Sequence, residues 1–268
     1  MPTIHFAKYQ AIENDFCVIG PASPGFNWTH RRAAEICHRR RGVGSDGLII
    51  LGKPSAKGVP FRLFNADGSR AEWSGNGVRC AAAHLAGQKR RAQLRLLTAV
   101  GSIESIVITK GSGRFLASFE RPMPIVGDPI SAGRKSSPAR LAGPIPVDAG
   151  NPHWIYVVAD FDIPWEELGA RAQSLNRPTH GVNVEFVRVL NRHQVELRIF
   201  ERGVGPTPSS GSGALAAVAA CWTRGLVDSR VRIISPGGEQ KAEISKDHNT
   251  VRLSAMTHHV CSGDWKIS

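Results

Sequence analysis

Ser74-Gly75-Asn76-Gly77-Val78-Arg79-Cys80-Ala81-Ala82-Ala83 and Ser210-Gly211-Ser212-Gly213-Ala214-Leu215-Ala216-Ala217-Val218-Ala219 are two copies of one pattern, set 136 positions apart (74 to 210). In each, a serine framed by glycines leads into an alanine-rich run. Glycine lets the backbone turn tightly and approach a ligand closely. The alanine-rich run predicts a helix, whose free N–H groups and dipole favour an anion at its start. One such helix start per half predicts a duplicated fold in which an anionic group is held and chemistry is done from two sides.

Strand signals dominate the rest of the chain. Ile103-Glu104-Ser105-Ile106-Val107-Ile108 and Val195-Glu196-Leu197-Arg198-Ile199-Phe200 nearly alternate, and Trp154-Ile155-Tyr156-Val157-Val158 reads as a buried strand. Further short strands are expected near residues 61–64, 94–97, 114–119, 183–189, 231–234, 242–244 and 251–253. Besides the two alanine-rich runs, helices are expected over 29–40, with Thr29 as N-cap, and over 165–175. Residues 121–143 are rich in Pro, Gly and Ser and read as a linker or long surface loop. Each half then holds several strands, one glycine-framed serine and one alanine-rich helix, which is a duplication signal.

The 268 residues, 41% hydrophobic and 21% charged, fit a soluble globular protein with a sizeable core. The longest plain apolar run, residues 214–222, is far short of the ~20 residues of a membrane span. The start, Met1-Pro2-Thr3-Ile4-His5-Phe6, has no basic segment followed by an apolar one, so a cytoplasmic location is the expectation. Five scattered cysteines without a CxxC pair suggest neither a disulfide framework nor a zinc site; they read as small buried hydrophobes. The net charge of +12 comes partly from Arg31-Arg32, Arg39-Arg40-Arg41 and Lys89-Arg90-Arg91. These runs are dispersed and no nucleic-acid motif accompanies them, so they read as solvated surface.

Further motifs complete the pattern. Phe6-Ala7-Lys8, Glu13-Asn14-Asp15-Phe16, Arg41-Gly42-Val43-Gly44-Ser45-Asp46-Gly47, Phe64-Asn65-Ala66-Asp67-Gly68-Ser69 and Ser74-Gly75-Asn76-Gly77-Val78-Arg79-Cys80 mark the first half. Gly150-Asn151-Pro152-His153, Asn183-Val184-Glu185-Phe186, Glu201-Arg202-Gly203-Val204-Gly205 and Ser210-Gly211-Ser212-Gly213-Ala214 mark the second. In order and spacing, over nearly the whole chain, they resemble diaminopimelate epimerase. The resemblance implies an α+β fold of two pseudo-symmetric domains, each a β-barrel-like sheet around a central helix, with the active site in the cleft between them. The expected domains are residues 1–121, to which a tail of 256–268 returns, and residues 122–255. It also implies no pyridoxal cofactor and no metal, a small-molecule amino-acid substrate, no nucleic-acid or membrane partner, and a homodimer as an allowed assembly.

Such enzymes invert an amino-acid α-carbon by two bases, one removing the proton and the other returning one to the opposite face. In the family both bases are cysteines; the matching positions here are Ser74 and Ser210. Pro206 stands where Glu is common and Trp73 where Met is common. A free thiol has a pKa of ~8.5 and is readily lowered, whereas a serine hydroxyl needs an activating base. His153 matches the partner of the first base, and Glu201 a residue near the second base that also meets a substrate ammonium. Gly75, Asn76, Gly211 and Ser212 match the N–H groups that grip the α-carboxylate. Asn14, Asn65, Asn151 and Asn183 match polar residues that orient the substrate, and Arg202 the partner of the distal carboxylate. Taken alone, both serines also read as helix N-caps. Three accounts stay open. His153 and Glu201 activate the serines; the site serves a different compound; or the serines replace cysteines in an inert form. The leading expectation is interconversion of LL- and meso-2,6-diaminopimelate for lysine and peptidoglycan-precursor synthesis. The alternatives are a related racemase for another amino acid and a binding-only homologue.

Overall fold

A computed structural model describes residues 3–21, 26–87, 89–130, 143–175 and 181–266. Contacts divide the chain into two compact units, residues 1–120 with 254–268, and residues 121–253.

In the first unit the strands are β1 (Thr3–Ala11), β2 (Asn14–Ile19), β3 (Gly47–Leu51), β4 (Val59–Asn65), β5 (Arg70–Ala71), β6 (Arg91–Thr98), β7 (Gly101–Gly111) and β8 (Arg114–Pro122). Its helices are α1 (His30–Cys37) and α2 (Gly75–Ala86). In the second unit β9 (Ile125–Val126), β10 (Ile145–Asp148) and β11 (Pro152–Val158) precede α3 (Trp165–Leu175). Then come β12 (Asn183–Asn191), β13 (Gln194–Glu201), β14 (Gly205–Thr207), α4 (Gly211–Thr223), β15 (Arg230–Ser235) and β16 (Gly238–Ile244). The last strand, β17 (Thr250–Lys266), begins in the second unit and ends in the first.

The first unit's sheet closes on itself: β1 pairs with β2, β2 with β3, β3 with β4, β4 with β6, β6 with β7, β7 with β8, β8 with β17, and β17 with β1. Closure removes the unpaired edges that invite aggregation. Inside this ring lies α2, against β1, β2, β3, β6 and β7, with Gly75 through Ala83 all buried. A helix that is small and apolar on nearly every side has no wet face, so it sits in the middle. The outer face of β3 carries Leu48 and Ile50, which pack with Trp28, Ala33, Ile36 and Cys37 of the α1 layer.

The second unit repeats this plan. The parallel β2–β3 pair recurs as β11–β12, the antiparallel β3–β4 pair as β12–β13, and the parallel β4–β6 pair as β13–β15. Helix α4, buried from Ala214 to Cys221, packs on β9, β10, β11 and β12. Val184 and Phe186 of β12 face the α3 layer with Trp165 and Leu168. Because side chains alternate along a strand, Asn183 and Glu185 lie on the opposite, α4-facing side.

Two expectations are corrected. The first helix stops at Cys37 rather than Arg40, because the chain folds back over its end: the N–H groups of Gly42, Gly44 and Ser45 donate to the carbonyls of His38, Ile36 and Cys37. A Cβ at Gly42 would sit 2.1 Å from the Glu35 carbonyl oxygen, so glycine is required there. The stretch read as a linker is partly sheet. Ile125 and Val126 pair with Asp148 and Val147, Met123 N–H donates to the Asn249 carbonyl, and Ile130 N–H to that of Pro144. A two-residue strand between prolines is too short to show a period. Residues 131–142 of that stretch lie outside the described ones.

Candidate active site

The duplicated register aligns the expected site residues by pairs. Phe16 faces Gly47 across β2–β3 as His153 faces Asn183 across β11–β12. Two residues on, Ile49 of β3 takes the place that Glu185 takes in β12. Leu63 pairs with Ala71 as Ile199 pairs with Thr207, and three residues later stand Ser74 and Ser210. Counting along the same strands makes Asn14 the counterpart of Asn151 and Asn65 that of Glu201. The two serines, Asn14 with Asn151, and Asn65 with Glu201 therefore fall at matching stations of one repeated scaffold, whereas the counterparts of His153 and Asn183 are Phe16 and Gly47.

Each serine caps its helix in nearly the same way. Ser74 has φ −145° and ψ 128°, and its Oγ accepts the Gly77 N–H at 3.1 Å. Ser210 has φ −140° and ψ 137°, and its Oγ accepts the Gly213 N–H at 3.2 Å. Capping occupies an acceptor site on each oxygen and leaves the hydroxyl proton available to donate. Ser210 is buried, and its carbonyl is held by Gln240 Nε2 at 3.1 Å.

The first unit places Asn76 inside α2, where its Oδ1 accepts from the fully buried Arg79 Nη2. Burial pulls Arg79 down to about 10, and its guanidinium lies 5.4 Å from the Phe119 ring centroid. Asn65 is exposed and donates to Ser69 Oγ at 3.0 Å. Asn14 donates to Asp46 Oδ2 at 2.9 Å. Beside it, burial raises the Asp15 carboxyl, but Arg39 and Lys8 more than offset this and hold it below the usual carboxylate range. Trp73, ahead of Ser74, is buried edge-on against Phe119.

In the second unit His153 is wholly buried, its Nδ1 2.8 Å from Glu185 Oε1 and its Nε2 3.0 Å from Asn151 Oδ1. Neither ring nitrogen stands open to solvent. Glu185 has no exposed surface, and among the described residues its second oxygen, Oε2, has no hydrogen-bond partner. Asn183 uses its amide on backbone, donating to the Pro152 carbonyl at 3.3 Å and accepting the Arg202 N–H at 3.0 Å. That bond fixes the turn after β13, where Glu201 is half-buried and Arg202 exposed. Gly211 is buried and Ser212 half-buried at the start of α4.

Glu185 is the residue sequence reasoning did not single out. The signal was present: a charged residue between Val184 and Phe186 in a strand of buried type, where carboxylates are rarely found unless paired. Cys17, Cys37, Cys80 and Cys221 are buried. Burial pushes Cys17 up to about 11 and both Cys37 and Cys221 to about 12, and it raises Cys80 as well. Among the described residues no group of His, Cys, Asp and Glu converges to hold a metal ion. No described helix is long and apolar enough to cross a membrane.

The sequence profile of the family described as diaminopimelate epimerase matches residues 6–116 and 145–260. A diaminopimelate epimerase of Desulforudis audaxviator is 34% identical over 290 residues, covering 98% of this chain and 99% of that protein. Among solved structures, a predicted epimerase of Pseudomonas aeruginosa aligns with a TM-score of 0.73 at 18% identity, over 99% of this chain and all of that one. A hydroxyproline epimerase of Agrobacterium vitis aligns with a TM-score of 0.74 at 14% identity, over 99% of this chain and 91% of that one. At such identities the two structures establish a shared fold.

Proposed function

The chain belongs to the diaminopimelate epimerase family, and on that premise we propose that it is a cofactor-independent isomerase interconverting LL- and meso-2,6-diaminopimelate. The observation that carries this reading is the matched pair of serine-capped helix starts at equivalent stations of the two units. Backbone N–H groups at a helix start suit a carboxylate. Gly75 and Asn76, with Gly211 and Ser212, would hold the α-carboxylate. Arg202 suits the distal carboxylate, since a guanidinium can clamp it with two parallel bonds. Asn14, Asn65, Asn151 and Glu201 would orient the amino groups.

Proton balance constrains the chemistry. A hydroxyl can take the α-proton only while passing its own proton to a neighbouring base. In the proposed reaction Ser74 and Ser210 are such relays, with His153 and Glu201 as the acid–base groups that serve them. One proton leaves the α-carbon and one returns on the opposite face, so no co-reactant is consumed. Each pKa unit separating a hydroxyl from a thiol is worth ~1.4 kcal/mol, so this chain is expected to turn over more slowly than a cysteine enzyme.

The test is α-hydrogen exchange of diaminopimelate in deuterated water, read by mass spectrometry together with LL-to-meso conversion. Deuterium uptake with conversion supports the proposal; absence of both refutes it for this substrate. The serine caps favour one second reading, a protein that binds the amino acid without turning it over. Calorimetry would then show binding with no exchange, and exchange on another amino acid would point to a related racemase.

A further inference from the structure

At one pair of stations the two units differ in kind. Where the first has Phe16 and Ile49, both buried and apolar, the second has His153 and Glu185, both buried and ionisable. In each unit the second member of the pair, Ile49 or Glu185, lies under the first turn of the central helix. A Cβ at Gly77 would lie 3.5 Å from Ile49 Cδ1; at Gly213 it would lie 2.4 Å from Glu185 Oε1. Gly213 is therefore without a side chain where the carboxylate presses on α4, and its N–H is the one that Ser210 Oγ caps.

The same scaffold is satisfied by hydrocarbon at these stations in its other copy. Replacing a buried ionic pair by well-packed apolar residues is often neutral or stabilising. The His–Glu pair is thus not what the fold needs. What it does supply is orientation. A carboxylate at Nδ1 fixes which ring nitrogen carries the proton and leaves Nε2 for exchange. At Nε2 stands Asn151, half-buried, whose amide can turn its oxygen or its nitrogen to the ring.

We propose that Glu185 is a positioning residue that holds His153 with its proton on Nδ1 and couples it to the serine-capped turn of α4. The role of His153 in turnover rests on the isomerase reading; the proton's place on the ring does not.

The experiment uses the full-length protein labelled with 15N-histidine, and assigns the His153 ring nitrogens by NMR in the wild type and three variants. Glu185→Met keeps the shape and removes the acceptor. It is expected to move the proton from Nδ1 to Nε2 and to lower α-hydrogen exchange at least tenfold, with KM within twofold. Glu185→Gln keeps an acceptor oxygen and is expected to restore the Nδ1–H form and most of the lost exchange. His153→Phe with Glu185→Ile copies the first unit, and should fold with an unchanged or higher Tm while exchange is lost. The proposal is overturned if the wild type carries its proton on Nε2 alone, or if Glu185→Met leaves it on Nδ1. It is equally overturned if the Phe/Ile double variant unfolds, since the pair would then be structural. Absence of exchange in the wild type with the Nδ1–H form intact would count against the isomerase reading and leave the positioning result standing.

Discussion

Ser74 and Ser210 carry two tasks on one atom. The Oγ of each accepts a helix N–H, which is a stabilising role, and each is also the proposed proton relay. The two tasks separate under substitution. Ser210→Ala removes the cap and should lower stability by about 1 kcal/mol in chemical denaturation, while abolishing exchange. Ser74→Cys together with Ser210→Cys supplies groups that ionise far more readily at a helix start, so exchange should rise at least tenfold. No gain from the double cysteine variant would mean that something other than base strength limits the site. Asp15 gives a pH-dependent prediction. Its folded-state pKa lies below the unfolded value of ~3.9, so its contribution is present above that value and fades as pH falls through the folded one. Asp15→Asn should thus be less stable than the wild type at pH 7, and the difference should shrink below about pH 4 in urea titrations. At the level of single side chains the sequence was informative where a motif fixed the residue. It was silent on the His153–Glu185 contact, because partners 32 positions apart meet only through a parallel strand pairing.

Helix starts α2 and α4 share a cap yet differ beneath it, and glycine substitutions read out the difference. Gly77→Ala would bring its Cβ to 3.3 Å from Ser74 Cβ, a tight contact with a small side chain. Gly213→Ala would drive its Cβ into a buried carboxylate oxygen at 2.4 Å. The second variant should lose more stability than the first, and should also disturb the His153 ring signals; equal losses would contradict the packing described. Elements with a strong local pattern were legible. The two alanine-rich helices, the helix over Trp165–Leu175 and the long alternating strands match their expected places. Those set by tertiary contact were not: α1 ends early because the following glycines fold over it, and β9 exists only because β10 and Asn249 offer it partners.

The molecule as a whole is one plan used twice, and the recurrence of a glycine-framed serine with its alanine-rich run, 136 positions on, is why the duplication could be read from sequence. What no period announces is the course of β17, whose residues 257–266 pair with β1 and close the first unit's ring. Truncation after Leu253 should leave β1 unpaired on that side. Its amides should then lose protection in hydrogen exchange, with increased aggregation from the opened edge. Full protection of β1 in the truncated chain would show that the closing strand is dispensable.

In the proposed reaction a serine at each helix start moves a proton on and off an amino-acid α-carbon. The most direct measurement incubates the full-length protein with LL-2,6-diaminopimelate in deuterated buffer free of pyridoxal phosphate and metal. One deuterium is expected at the α-carbon of the meso product, lost in both Ser74→Ala and Ser210→Ala. Diaminopimelate recovered unexchanged and uninverted, from the wild type and from the double cysteine variant alike, would contradict it.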